Sequence, residues 1–532
     1  MNSDFAEFDF KSQNGLEVDI MPPEEWMLAN LGIDLAAPEF RELPPYKRAQ
    51  YRAVKNWLTM YKPKPDAFNL EKVKGYLETF HHLCELEEWE RAGKILLTRL
   101  NTPTKEQLHN HLNTWGYYQE QANIYDRLLE KFNEKFNEKF NNRNFIWDSN
   151  WLELGSFINI ILTGLGNSYL GIGEYEKAIE YYQQRLTLAR NTRDPKGEAW
   201  ALANIALAYK GMSNYNEAIN CLQHSLEIVK KIGDRQGEAA CLRNLGLVYK
   251  DICDYDEAIK YLQESLEISE DISDSHGQGG TLIGLANIYT VLGKYFEATD
   301  HLKESLKIAR KIGYRQLEGT AMGNLGNIYY DRGDFFKALE YHEQHLTITE
   351  EIGDLHGKAN AMEGLSNVSF SQGNYAQSID YRQQQLMMAK RIGDRKGEGN
   401  AFGGLGIAYS CQGEYDRAIE SHQQHLVIAE EIGYLSGQAT ALCNLGCGLF
   451  QLEQYSEAKL YLCRALKISQ KIGDRSGEAY AFRNLVAVYQ KLGNSLLAHE
   501  CCDRALSIAT ELDIPLAKEC QELKEKLVRE QT

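Results

Sequence analysis

"IGDRQGEAACLRNLGLVYK" occupies residues 232–250, and its reading decides the fold. Gly233 and Asp234 are a helix stop and a helix start side by side. Glycine enters the left-handed conformation that closes a helix, and an aspartate carboxylate accepts from the free N–H groups that open the next. Leu242, Leu245 and Tyr249 then fall at i, i+3 and i+7, one face of a helix. A short turn, "DICDY", leads to a second helical pattern, in which Ala258, Ile259, Leu262, Leu266 and Ile268 cover a broader face. The spacing predicts an antiparallel helix pair, with Gly246 and Ala258 small enough to let the two backbones approach.

The same sentence returns every 40 residues without insertion. One column holds Leu165, Ile205, Leu245, Leu285, Leu325, Leu365, Leu405, Leu445 and Leu485, and others hold Tyr (Tyr169 to Tyr489, with Ser369 and Leu449 departing), Ala (Ala178 to Ala498, with Ser378 departing) and Leu (Leu186 to Leu506). That makes nine repeats over residues 151–512. One pair cannot bury its apolar faces alone, so each repeat is its neighbour's core.

The chain has 532 residues, 43% hydrophobic and 25% charged, with a formal net charge of -17. An acidic chain repels phosphate backbones, which argues against nucleic acid as a partner. The eleven cysteines include no C-x-x-C pair and read as reduced thiols of a cytoplasmic protein. The start, "MNSDFAEFDFKSQ", lacks the basic and apolar run of a signal peptide, and no window of eighteen apolar residues exists to span a membrane.

The L-G-x-x-Y, Y, A and L columns resemble the tetratricopeptide repeat. The 40-residue unit with "GDRxGEA" and "NLG" is most similar to the arrays of Pins-type spindle-orientation adaptors, kinesin light chains and bacterial tandem proteins. The resemblance implies an all-α, right-handed superhelical solenoid whose first helices line a concave, peptide-binding groove. After Leu506 the chain has no G-protein-binding repeats of the Pins type; residues 513–532 read as one charged capping helix.

Residues 1–45 carry ten acids against Lys11 and Arg41, with Pro22, Pro23, Pro44 and Pro45, and read as a flexible acidic tail. Its stickier parts are "DFAEFDF" and "PEEWMLANLGI". Residues 46–150 read as an irregular helical region with degenerate pairs, one of them placing Trp89 in the aromatic column and Ala92 three later. Phe132, Phe136 and Phe140 in "KFNEKFNEKF" make a stripe that either packs on the first repeat or offers a docking ridge.

No nucleophile motif, phosphate loop, cofactor motif or metal signature emerges, so the chain reads as non-catalytic. His342 with His345, and His422 with His425, stand at i, i+3 but lie in apolar-rich second helices, and read as packed rather than metal-binding. Cys443 and Cys447 lack two further ligands. The remaining candidate is the groove, where the resemblance points one and two residues before the column leucine, and two and five after it, into the concavity. Those places hold Asn204, Asn244, Asn287, Asn324, Asn327, Asn367, Asn444 and Asn484. An asparagine amide offers both a donor and an acceptor to an extended backbone; the same amides can instead bridge neighbouring helices. Lys210, Arg243 and Lys250 make a basic end, and the middle of the floor is small or apolar. The pattern suits a protein or peptide segment with acidic residues at one end and apolar anchors beyond them. The reading is a scaffold or adaptor. The alternatives are a peptide-sensing signalling regulator and the sensing subunit of a separately encoded enzyme.

Overall fold

The computed structural model of the chain describes residues 20–64, 67–102, 105–140, 149–512 and 514–531. Among them are 27 helices and no strand. Two compact modules partition the chain: Met1–Tyr169 with Lys177–Ala201 and Ile352–Asp354, and Leu170–Glu176 with Leu202–Glu351 and Leu355–Thr532.

The larger module is a run of helix pairs. Arg235–Asp251 with Tyr255–Asp271 sets the pattern, which recurs six more times and ends with Arg475–Lys491 and Ser495–Glu511. The stop and start signals work as their chemistry requires. Gly233, at φ 72°, closes one helix, and Asp234 Oδ1 accepts from the Gly237 N–H at 3.1 Å to open the next. Asp274, Asp394 and Asp474 repeat that cap. The Leu165-to-Leu485 column and the alanine column are buried between paired helices, while most of the Leu186-to-Leu506 column is half-buried; each fully buried leucine contributes roughly 1.5–3 kcal/mol. Only a hydrogen fits at Gly246, where a Cβ would lie 2.7 Å from Leu262 Cγ and 3.0 Å from the Ala258 carbonyl oxygen. Column tyrosines stack on rings of the second helix, as Tyr249 does on Tyr261 at 5.3 Å and Tyr329 on Tyr341 at 5.3 Å.

Beneath the 40-residue period lies a second one of 80. From the second repeat on, second helices end alternately basic and acidic: Lys230–Lys231, Glu270–Asp271, Arg310–Lys311, Glu350–Glu351, Lys390–Arg391 and Glu430–Glu431. After a basic end the next helix opens with arginine and a buried glutamate: Arg235 and Glu238, Arg315 and Glu318, Arg395 and Glu398, Arg475 and Glu478. After an acidic end, Gln278, Lys358 and Gln438 replace that glutamate. The ion pairs follow the signs. Across the turn Lys230 meets Glu238 at 3.8 Å, Arg310 meets Glu318 at 2.8 Å, and Glu350 meets Lys358 at 2.7 Å. Each opening arginine also bridges its own glutamate, at 2.8 Å for Arg395–Glu398, to an acid at the end of the same pair: Asp271, Glu351, Glu431 or Glu511.

The array is closed by helix Leu516–Gln531. Leu516, Cys520 and Leu527 are buried with Phe482, Val486 and Ala505, and Lys524 pairs with Asp503 at 2.7 Å on the outer side.

The smaller module holds the N-terminal helices. Packing begins upstream of residue 45: Met27, Leu31 and Ile33 are buried, Thr98 donates to Met27 Sδ, and Arg91 donates to the Gly32 carbonyl at 3.2 Å. The prolines there mark helix starts rather than disorder. Pro23 and Pro44 are N-caps, and Pro38 and Pro45 stand at first helical positions, where a missing N–H costs nothing. Tyr76, Phe80, Trp115 and Tyr125 fill the core with Ala92, and Trp115 stacks on His111 at 4.8 Å. "DFAEFDF" and the side chains of 131–140 lie outside the described residues.

Candidate functional site

First helices of the array carry the groove columns. Asn204, Asn244, Asn287, Asn324, Asn367, Asn444 and Asn484 are half-buried there, and Asn327 is exposed. Four of the eight are engaged within the array. Asn324 Nδ2 donates to Asn287 Oδ1 at 3.1 Å, tying adjacent repeats together. Asn367 Oδ1 accepts from Arg382 Nη2 at 2.5 Å. Asn484 Nδ2 donates to Cys443 Sγ at 3.3 Å, while its Oδ1 accepts from Arg483. Among the described residues, Asn204, Asn244, Asn327 and Asn444 make no side-chain hydrogen bond, so both halves of each amide remain available.

The basic end is weaker than its three cations suggest. Asp251 lies between Lys210 at 3.0 Å and Lys250 at 3.2 Å and offsets one of their two charges. Burial pulls the Arg243 pKa down, with Asp274 opposing the shift. The signal for Asp251 was in plain view, directly after Lys250, but falls outside the four groove columns.

The second helices supply groups that the columns do not reveal. Where other repeats carry Leu262 or Leu302, these carry His342, Arg382 and His422. The Arg382 guanidinium is held by Glu363 at 3.1 Å, Gln385 at 2.8 Å and Asn367, a closed polar network in which Gln385 also donates to Glu363. His342, His345 and His422 are buried against glycines, and burial lowers each pKa to about 4, so all three are neutral in the folded chain. Gly323 and Gly403, among the small residues of the groove floor, leave room for the rings of His345 and His425. Cys443 and Cys447 are coupled through their own hydrogen bond, which lowers the Cys443 pKa and raises that of Cys447. Among the described residues no cluster of three metal-ligating side chains occurs, and no helix is long and apolar enough to cross a membrane.

Models of the tetratricopeptide repeat match residues 157–231, 197–271, 278–351 and 357–431, and a further one matches 439–472. The chain is a tetratricopeptide-repeat protein. The matches of the first model are each about two repeats long, the length of the charge alternation. No curated protein matches the chain. Among solved structures, a Rap protein complexed with competence and sporulation factor is similar at 15% identity, over 76% of this chain and 99% of that one, with a TM-score of 0.47. The apo form of the quorum sensor NprR from B. thuringiensis is similar at 14% identity, over 75% and 99%, with a TM-score of 0.44. BtubC from P. vanneervenii is similar at 20% identity, over 40% and 91%, with a TM-score of 0.37.

Proposed function

We propose that this tetratricopeptide array is a non-catalytic, cytoplasmic interaction scaffold. Its first-helix face holds a segment of another protein, acidic at one end and apolar beyond. The observation that carries the reading is the recurrence of uncommitted amides at Asn204, Asn244 and Asn444 in one column, with Asn327 in the next. An amide with donor and acceptor both available, recurring at the same position of separate repeats, matches the needs of a peptide backbone and reads little of its sequence. Arg243 and the Lys210–Asp251–Lys250 triplet leave two net positive charges for the acidic end.

The test is capture of a partner by the immobilised full chain, compared with Asn204→Ala/Asn244→Ala/Asn444→Ala and with Arg243→Glu/Lys250→Glu. The triple variant should keep its helical content and lose binding by roughly 0.5–1.5 kcal/mol per lost hydrogen bond. The charge variant should lose affinity most at low salt. Partners retained equally by both variants would place the binding surface elsewhere.

A further inference from the structure

Helix Leu435–Gln451 carries two thiols one turn apart, Cys443 and Cys447. Each is half-buried, and they are hydrogen-bonded to each other. Asn484 Nδ2, on the next first helix, donates to Cys443 Sγ at 3.3 Å. Stacking does not ask for thiols at these places. The residues equivalent to Cys443 range from Gly323 and Gly403 through Ile283 to Arg243, and those equivalent to Cys447 include Leu247, Asn287 and Ala487. Neither position holds a cysteine in any other repeat. Two thiols therefore meet where the fold leaves the residue type open.

The pair is poorly built for a disulfide. Side chains at i and i+4 of a helix hold their Cβ atoms about 5–6 Å apart, whereas a disulfide draws them to about 3.5–4.5 Å. Closing that gap would distort the turn that carries Leu445, which is buried in the core. A metal ion inserted between the two sulfurs spans the wider gap and leaves the backbone in place.

The surroundings select the kind of ion. A closed zinc site takes four ligands, and among the described residues no third metal-ligating side chain joins this pair. Calcium, magnesium and manganese require oxygen ligands, but the charged group that acts on both thiols is a cation, Arg483. Leu442, Leu445 and Leu449 are buried on the same helix, so the setting is apolar. What fits is a soft ion that is satisfied by thiolates. Copper(I), with its filled d shell, takes two thiolates in a line and needs no further ligand. Its binding releases both thiol protons, and two thiolates around one monovalent ion leave a single negative charge. Arg483, paired with Glu519 at 3.6 Å and donating to Asn484 Oδ1 at 3.1 Å, stands where it offsets that charge and orients the amide that donates to Cys443.

We propose that Cys443 and Cys447 form a two-coordinate site for copper(I). The inference uses sulfur chemistry alone and does not rest on the scaffold reading.

The full chain, reduced and kept free of oxygen, would be titrated with copper(I) held by a coloured chelator, bicinchoninate. The chain should take from the chelator a copper ion that Cys443→Ser, Cys447→Ser and the double variant all fail to take, because one thiolate cannot hold it alone. Cys253→Ser/Cys411→Ser, which removes the two exposed thiols, should keep it. Arg483→Glu should bind the ion severalfold more weakly at unchanged helical content. X-ray absorption at one equivalent should show two sulfur neighbours. A footprint on the parent chain needs no variant. The tryptic peptide 418–459 contains these two cysteines and no other, so copper should protect both of them from alkylation together, and zinc at the same concentration should protect neither. The proposal is overturned by a chain that takes no copper, a double variant that takes as much as the parent, a single variant that keeps the ion, or an affinity unchanged in Arg483→Glu. Three or more protein ligands on the copper, equal protection by zinc, or a peptide alkylated equally with and without copper would overturn it as well. Should the serine variants fail to fold, the footprint and the absorption spectrum of the parent chain decide.

Discussion

Replacing His342 by leucine should make the array more acid-resistant without harming it at neutral pH. The ring is buried in the second helix of its repeat, and its Nδ1 lacks a partner. Burial lowers its pKa from 6.5 to about 4. The sign follows directly. Between those two values the unfolded chain binds a proton that the folded chain refuses, so stability is complete above about 6.5 and drains away as pH falls toward 4. At about 1.4 kcal/mol per pH unit the full loss is roughly 3 kcal/mol, of which roughly 2 kcal/mol has gone by pH 5. Leucine is the residue that other repeats use there: Leu262 faces Gly246 and Leu462 faces Gly446 as His342 faces Gly326. His342→Leu should therefore match or exceed the parent chain at neutral pH and surpass it by roughly 2 kcal/mol at pH 5. Hydrogen exchange over residues 317–352, corrected for intrinsic rates, reads the effect locally; urea unfolding at both pH values reads it globally. Equal acid sensitivity of parent and variant, or acid-induced opening confined to repeats without a buried histidine, would refute the reasoning.

His422 presents the same case, with a pKa also lowered to about 4, so His422→Leu should protect residues 397–431 at pH 5 in the same assay. Gly446→Ala would push a Cβ to 2.5 Å from Leu462 Cγ and 3.2 Å from the Ala458 carbonyl. A loss of roughly 1–3 kcal/mol is expected in chemical denaturation. Asp474→Ala removes the acceptor of the Gly477 N–H at 2.8 Å and should cost about 1 kcal/mol, seen as faster exchange in the first turn of Arg475–Lys491. Asp251→Asn removes the carboxylate shared by Lys210 and Lys250, and should raise the affinity of the groove for acidic peptides at low salt with little change in melting temperature.

The helix pairs were legible because each column repeats nine times, and no tertiary accident can override a pattern that recurs so often. The 80-residue alternation was equally present in the letters. It lies in charged positions at helix ends, whereas the columns that define the repeat are apolar. The start of the N-terminal packing was obscured because prolines and acids mark both disorder and helix openings; only the burial of Met27 and Leu31 separates the two. At the groove, sequence could place the asparagines on one face but could not tell Asn324, bonded to Asn287, from Asn244, which is not. Arg382 was invisible for a different reason. An arginine on a second helix reads as a solvated outer residue until its neighbours are known to enclose it.

The alternation of charged helix ends gives the array a parity. Removing residues 435–474, one repeat, would bring Glu430 to the place from which Lys390 precedes Glu398, and would set it against Glu478, a carboxylate already buried. Removing 395–474, two repeats, would set Lys390 there instead, in the pairing found between Lys230 and Glu238. Between residues 230 and 478, copies of one repeat are thus mismatched at their seams while copies of two are not; the first repeat stands outside the alternation, since Arg190 pairs with Glu198 just as Lys230 pairs with Glu238. Over that stretch the unit that preserves its own ion pairs on deletion or duplication is two helix pairs, not one.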